Sequence, residues 1–246
     1  GNTEHARFLN TTKSFQTGAS VTASGVNSTA MGFQNVASGA SSTAMGYQAV
    51  ASGDYSYAMG YQNTANGFAS NAMGRAASAQ GNYSGAWGEH DTATGIGNGA
   101  WAIGYFCKAL GDRAVAIGTN TTASGASSNA MGLNTIASGH YSTAMGRETT
   151  AGGHRSTAMG YQSEASGVHS GVWGVHDTAT GTGNGAWAIG YECKALGDRS
   201  VALGYLTTAS GHHSTAMGRE TTAGGNHSTA MGYLSVASGV HSGVWG

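Results

Sequence analysis

The pentapeptide Ser28-Thr-Ala-Met-Gly32 returns as Ser42–Gly46, Ser142–Gly146, Ser156–Gly160, Ser214–Gly218 and Ser228–Gly232, and neighbouring copies lie fourteen residues apart. Midway between copies stands a second fixed element, Ala37-Ser-Gly39, so Ala-x-Gly recurs every seven residues. A repeat this short leaves two architectures, a coiled coil or a stack of small coils. Glycine at every seventh position would cost a helix about 1 kcal/mol each relative to alanine, and these heptads lack two apolar seams. The reading is therefore all-β. Two short strands per fourteen-residue repeat, joined by glycine-bearing turns, stack into a parallel β-roll or solenoid of about 16 coils.

Residues 1–18 are irregular. Ser14 and Gly18 keep the register, but Phe15, Gln16 and Thr17 replace the usual Thr, Ala and Met, which suggests an N-terminal cap or junction. Residues 19–246 form the array. Two repeats, Glu89–Gly104 and Val175–Gly190, have sixteen residues, and the extra pair falls in Ile96-Gly-Asn-Gly99 and in its counterpart Thr182–Gly185. These are widened turns. A longer period overlies the short one: Gly85–Gly118 returns as Gly171–Gly204 and Leu133–Gly174 as Tyr205–Gly246, with the repeat Thr119–Gly132 lost from the second copy. A stacked, quasi-one-dimensional architecture tolerates such a loss. The final Gly243-Val-Trp-Gly246 matches Gly171-Val-Trp-Gly174, which leads into a widened turn, so the array is expected to be a segment of a longer fibre.

Alternation assigns the faces. The centre of the first strand is alanine in every repeat from Ala23 to Ala237, and the centre of the second is alanine except at Val172 and Val244. Two alanine columns belong in the narrow interior of a thin roll. The residue after the second alanine then points outward, and that column holds Met31, Met45, Met59, Met73, Trp87, Ile103, Ile117, Met131, Met145, Met159, Trp173, Ile189, Leu203, Met217, Met231 and Trp245. Over roughly 75 Å at strand spacing, such a row exceeds the few hundred Å² of apolar patch usual on a monomer. It calls for a partner, and the simplest is the same stripe on identical chains in closed rotational symmetry. Where the column holds Trp87 or Trp173, the neighbouring Thr position becomes Gly85 or Gly171, set under Trp101 or Trp187 of the next coil. Large beside small is what close packing requires, so Trp101 and Trp187 join the expected interface.

Composition removes other classes. With 43 Gly, no Pro, 9% charged residues and a formal net charge of −1, nothing draws the chain to nucleic acid or anionic membrane. No apolar run reaches the roughly 18–20 residues of a membrane span. Cys107 and Cys193 share one slot of the longer repeat, about 29 Å apart at one strand spacing per coil, so they are read as packed free thiols.

The turn after Ala-x-Gly carries His140, His154 and His212 in its first position and His169, His213, His227 and His241 in its second. Successive coils should stack His213, His227 and His241 one strand spacing apart, as a solvated ladder or a weak site for a metal or protons. Glu89-His90-Asp91 and Val175-His176-Asp177 put His beside Asp, yet the serines recur structurally in nearly every coil and no nucleophile elbow surrounds one. No enzyme activity and no cofactor are expected. Arg147-Glu148 and Arg219-Glu220 read as exposed ion pairs of little energetic weight. The best candidates for ligand contact are the widened turns with Asn98 and Asn184, nearby Tyr105, Phe106, Tyr191 and Glu192, and the ladder His213, His227 and His241.

At Ala114-Val-Ala-Ile-Gly118 and Ser200-Val-Ala-Leu-Gly204, followed by Ala123-Ser-Gly125 and Ala209-Ser-Gly211, the chain resembles the YadA-like head repeats of trimeric autotransporter adhesins. The resemblance spans roughly residues 18–246 and implies a left-handed β-roll, a homotrimer with two further copies of the chain, and non-enzymatic attachment to a surface, matrix or receptor. It implies an extracellular place, on a cell surface or on a phage or virion appendage. The Val and Ile positions of the family pattern are mostly Thr and Met here. Two other readings stand beside adhesion. One is a stiff trimeric spacer, as in a tail fibre, with the binding tip elsewhere. The other is an ice-binding solenoid, whose rank of Thr122, Thr150, Thr208 and Thr222 is interrupted by Lys108, Ile136, Glu164 and Lys194.

Overall fold

The structure, a computed structural model, describes residues 7–9, 12–95, 99–181 and 185–246. Two compact units divide the chain, residues 1–121 and 122–246. Together they hold about 16 turns of parallel β-solenoid, and the described residues contain no helix.

In the first unit, five-residue strands stack in parallel from Thr29–Phe33 to Val115–Thr119, each in register with the coil before it, as Thr29, Ala30 and Met31 with Thr43, Ala44 and Met45. Two-residue strands, from Thr22–Ala23 to Lys108–Ala109, make a second parallel sheet. The second unit repeats this plan, with long strands from Asn129–Leu133 to Gly243–Trp245 and short ones from Thr122–Ala123 to Val236–Ala237. Strand Ser14–Ala19 joins the first unit in full register, Phe15, Gln16 and Thr17 opposite Thr29, Ala30 and Met31. Its other edge is taken by Arg7–Leu9, the one antiparallel pairing among the described strands of this unit.

Alanine fills the interior because two short sheets joined by tight turns leave room for little more than a methyl. The alanines of both columns, Ala23 to Ala237 and Ala30 to Ala230, are fully buried or within 1% of it. The arrangement with alanine outside and methionine inside is excluded.

A third interior column was only half visible in the sequence, as the slot of the two cysteines. Cys107 and Cys193 are buried free thiols, and their slot elsewhere holds buried Asn35, Asn63, Asp91, Asp177 and several threonines. Asn63 shows how a polar group is accommodated. Its Nδ2 donates to the Met59 carbonyl at 2.6 Å and the Gly74 carbonyl at 2.8 Å, while its Oδ1 accepts the Ala77 N–H at 2.8 Å. A buried amide so satisfied ties two coils together rather than weakening them. The slot above it is Ala77, as Ala49 is above Asn35, so large alternates with small up the column.

The fourteen-residue coils carry a non-glycine residue in the left-handed region in each turn, for example Ser41 at φ 54° and Gln48 at φ 52°, whereas in the widened turns Gly99 and Gly185 take that conformation at φ 72°. A non-glycine residue there costs roughly 1–2 kcal/mol. The cost is offset by a backbone bond to the preceding coil, Ser41 N–H to the Val26 carbonyl at 2.7 Å and Gln48 N–H to the Phe33 carbonyl at 2.8 Å.

Candidate interaction surface

The large apolar side chains face outward from the long strands, one per coil, from Met31 to Ile117 in the first unit and from Met131 to Trp245 in the second. They are half-covered by their neighbours in the row, and several remain open, Met59 at 38% and Trp173 at 44% exposure. Trp101 and Trp187 occupy the preceding outward position. Trp101 lies across Gly85, where an added Cβ would come within 2.4 Å of its ring, and meets Trp87 edge-on with centroids 5.1 Å apart. Trp187 does the same over Gly171, with Trp173 5.8 Å away. The large-beside-small pairing read from the sequence is present in both copies. Gly85→Val should therefore displace the Trp101 ring and lower the thermal midpoint by the ~1–3 kcal/mol of an overpacked contact, with a change in near-ultraviolet circular dichroism.

The other candidate residues do not converge. Asn98 and Asn184 lie outside the described residues. Tyr105 and Phe106 stand at the far end of strand Trp101–Tyr105 from Gly99, about 13 Å along the strand, so the widened turn and this aromatic pair belong to opposite edges of the coil. Tyr105 meets Phe106 edge-on at 4.6 Å, and Phe106 stacks on His90 at 4.8 Å. Tyr191 stacks on Tyr205 at 5.2 Å, and the neighbouring Glu192 carboxylate pushes its phenol above the usual range. His213, His227 and His241 sit on the widened-turn edge, their rings parallel and 4.9 and 5.0 Å apart. The predicted ladder exists, but stacked rings direct their nitrogens side by side; among the described residues no three His, Cys, Asp or Glu side chains could hold a metal. Arg147 and Arg219 pair with Glu148 and Glu220 at 3.1 and 3.0 Å, exposed as expected.

Sequence reasoning missed two ring groups. After the outward methionines come Phe33, Tyr47 and Tyr61, stacked face to face at 5.1 and 5.0 Å beside a ladder of Gln34, Gln48 and Gln62 amides. On the opposite turns Tyr55, Phe68 and Tyr83 form an edge-to-face row. The fourteen-residue spacing of Phe33, Tyr47 and Tyr61 was an available signal; Tyr55, Phe68 and Tyr83 alternate between the second and first turn positions and share no single period.

The His-Asp pairs do not form a catalytic arrangement. Asp91 is fully buried, and its oxygens accept the Gly104 N–H at 2.7 Å and the Cys107 N–H at 2.8 Å; Asp177 is held likewise by Gly190 and Cys193. Burial pushes both carboxyls above the usual aspartate range, against the opposing pull of those amides. Because the folded-state value is raised, the stabilising contribution is complete below the unfolded aspartate value and is lost as pH rises through the folded one. The thermal midpoint of the native chain minus that of Asp91→Asn/Asp177→Asn should grow as pH falls from 7 towards 4. A flat or shrinking difference would show that the carboxyls are not raised.

Comparison with family models matches the YadA head domain repeat (two copies) over residues 23–49, 51–67, 96–121, 109–135, 123–149, 151–170, 174–207, 195–221, 209–235 and 223–242. This covers well over half of the chain. The chain belongs to the YadA head family. Comparison with curated proteins gives no match. YadA heads are parts of trimeric autotransporter adhesins, non-enzymatic proteins that form homotrimers and are exposed at the cell surface, and the match lends no support to a place on a phage appendage. Within this YadA head array the outward column is mostly methionine where the family pattern has isoleucine. Met is the more adaptable filler of irregular apolar gaps.

Proposed function

We propose that this chain is a non-enzymatic, adhesive segment of a cell-surface fibre, built from three copies packed through the outward Met, Trp, Ile and Leu column. The observation that carries the reading is that column itself: from Met31 onward, every coil of each unit sets one large apolar side chain in an ordered row on the same outward face. A contiguous stripe of this kind is covered in a stable soluble assembly. Homotrimers are the habit of the family, and threefold closure leaves no stripe unpaired. Attachment then falls to the surfaces that trimerisation leaves open, the turn edges and the short-strand sheet. The spacer reading draws on one observation, the loss of a whole coil between the two long repeats.

Sedimentation equilibrium of residues 1–246 tests the assembly: the expected mass is three times the 24.5 kDa of the chain. A monomer at micromolar concentration would defeat the trimer. Beads coated with the trimer should adhere to host-cell or matrix surfaces, whereas an inert coating would favour the spacer.

A further inference from the structure

We propose that the turn edge carrying Tyr55, Phe68 and Tyr83 is a binding site for a neutral glycan. The three residues come from successive coils of the first unit. Phe68 lies 5.4 Å from each tyrosine ring, inclined at 71° to Tyr55 and 70° to Tyr83. Whichever ring supplies the edge in these contacts, each tyrosine keeps at least one face that no other member of the row covers. The rings are open to solvent, Tyr55 at 53%, Phe68 at 39% and Tyr83 at 52% exposure. In the stack of Phe33, Tyr47 and Tyr61, by contrast, both faces of the central ring are covered, and that stack adjoins the apolar column assigned to self-association.

The fold does not require aromatic residues here. The same two turn positions hold Ala40 and Ser41 one coil earlier, and Ala126 and Ser127 in the second unit. Polar groups frame the rings. Asp54 Oδ1 accepts the Ala40 N–H at 2.7 Å and Asn82 Oδ1 accepts the Phe68 N–H at 3.0 Å, so a carboxylate and an amide are fixed two coils apart, about 9.6 Å, at the two ends of the row. Exposed ring faces with hydrogen-bonding groups already held in place match the alternating C–H faces and hydroxyls of a sugar chain, and little ordering is needed on binding.

Charge narrows the class. From Val26-Asn27 to Asn82-Tyr83 the first positions and their left-handed neighbours on this edge include no Lys or Arg, and Asp54 is the single charged residue among them. Sulfated, phosphorylated or uronic-acid polymers would find no cation to neutralise them, so a neutral glycan is the fitting occupant. The proposal gives the adhesive reading its ligand class and rests on it for its purpose. The site lies within one unit, so sugar binding and sedimentation mass are separate readouts, and either can fail alone.

The test is saturation-transfer NMR of the full chain with chitotetraose and with maltotetraose. At least one should show transfer to its ring protons. Tyr55→Ser/Phe68→Ala/Tyr83→Ala should weaken that binding at least tenfold while keeping the circular dichroism spectrum, since each new residue is one that another coil already uses at that position. Asp54→Ala should weaken it less, and Tyr61→Thr, on the opposite edge, should not change it. Absence of transfer from both sugars, transfer undiminished in the triple variant, or a preference for heparin over the neutral sugars would overturn the assignment.

Discussion

Replacing Gly46 by alanine should destabilise the roll by ~2–6 kcal/mol, the sum expected for a forbidden backbone conformation and an unrelievable contact. Gly46 has φ 118°, a conformation rare for a residue with a side chain, and an added Cβ would stand 2.1 Å from the carbonyl oxygen of Gly60 in the next coil. The obstacle is backbone held in a ladder, so no side chain can swing away. Because each coil contacts only its neighbours, a damaged coil also weakens the coupling on which cooperative stacking depends. Gly152 is the internal contrast. Its nearest neighbour would be 3.8 Å from a new Cβ, its φ is not in the left-handed region, and Ser138 and Ser166 fill the same position in adjacent coils. Gly152→Ser should therefore be neutral or raise stability by up to ~1 kcal/mol through the unfolded chain. Thermal melts of the two variants decide the matter; a Gly46→Ala midpoint within two degrees of the native one would mean that this glycine is kept for another reason.

The repeat made the coil, its register and its interior legible, since a period of fourteen with alanine at both strand centres admits few foldings. Gly85 under Trp101 was legible for the same reason: a register known to the residue turns a volume change in one coil into a statement about the next. Alternation says nothing about residues between strands. There each coil passes through a left-handed residue, and the direction of a side chain such as Tyr55 or His213 follows from that local geometry rather than from a period of two. Tyr105 was thus read together with the widened turn, although it closes the far end of the strand Trp101–Tyr105 that follows Gly99. The interior Asn and Asp residues were visible only as occupants of the cysteine slot, and their hydrogen-bonding role was not, for a related reason. Their column varies in sequence because several side chains can solve the same hydrogen-bonding problem, Asn63 by donating to two carbonyls and Asp91 by accepting two amides.

Met145→Asp combined with Met159→Asp should turn a trimer into a monomer while leaving the roll folded. The two side chains are adjacent in register on the outward face of the long strands, and the interior beside them is alanine from Ala144 and Ala158, which the change does not touch. In an isolated chain the new carboxylates would be solvated. In a threefold assembly they would place six like charges along one apolar seam, at an effective cost of several kcal/mol per ion. Burial of a few methionines cannot offset that, as each contributes only about 1.5–3 kcal/mol when fully covered. The expected result is a threefold fall in sedimentation mass with an unchanged β spectrum, and a melt that becomes independent of protein concentration, as mass action requires once folding and assembly are uncoupled. Thr150→Asp is the control, because Glu164 already occupies its short-strand column one coil later; it should leave the mass unchanged. A double variant that stays three times the chain mass would move the interface off this column, and the turn edges would then be the next surfaces to test.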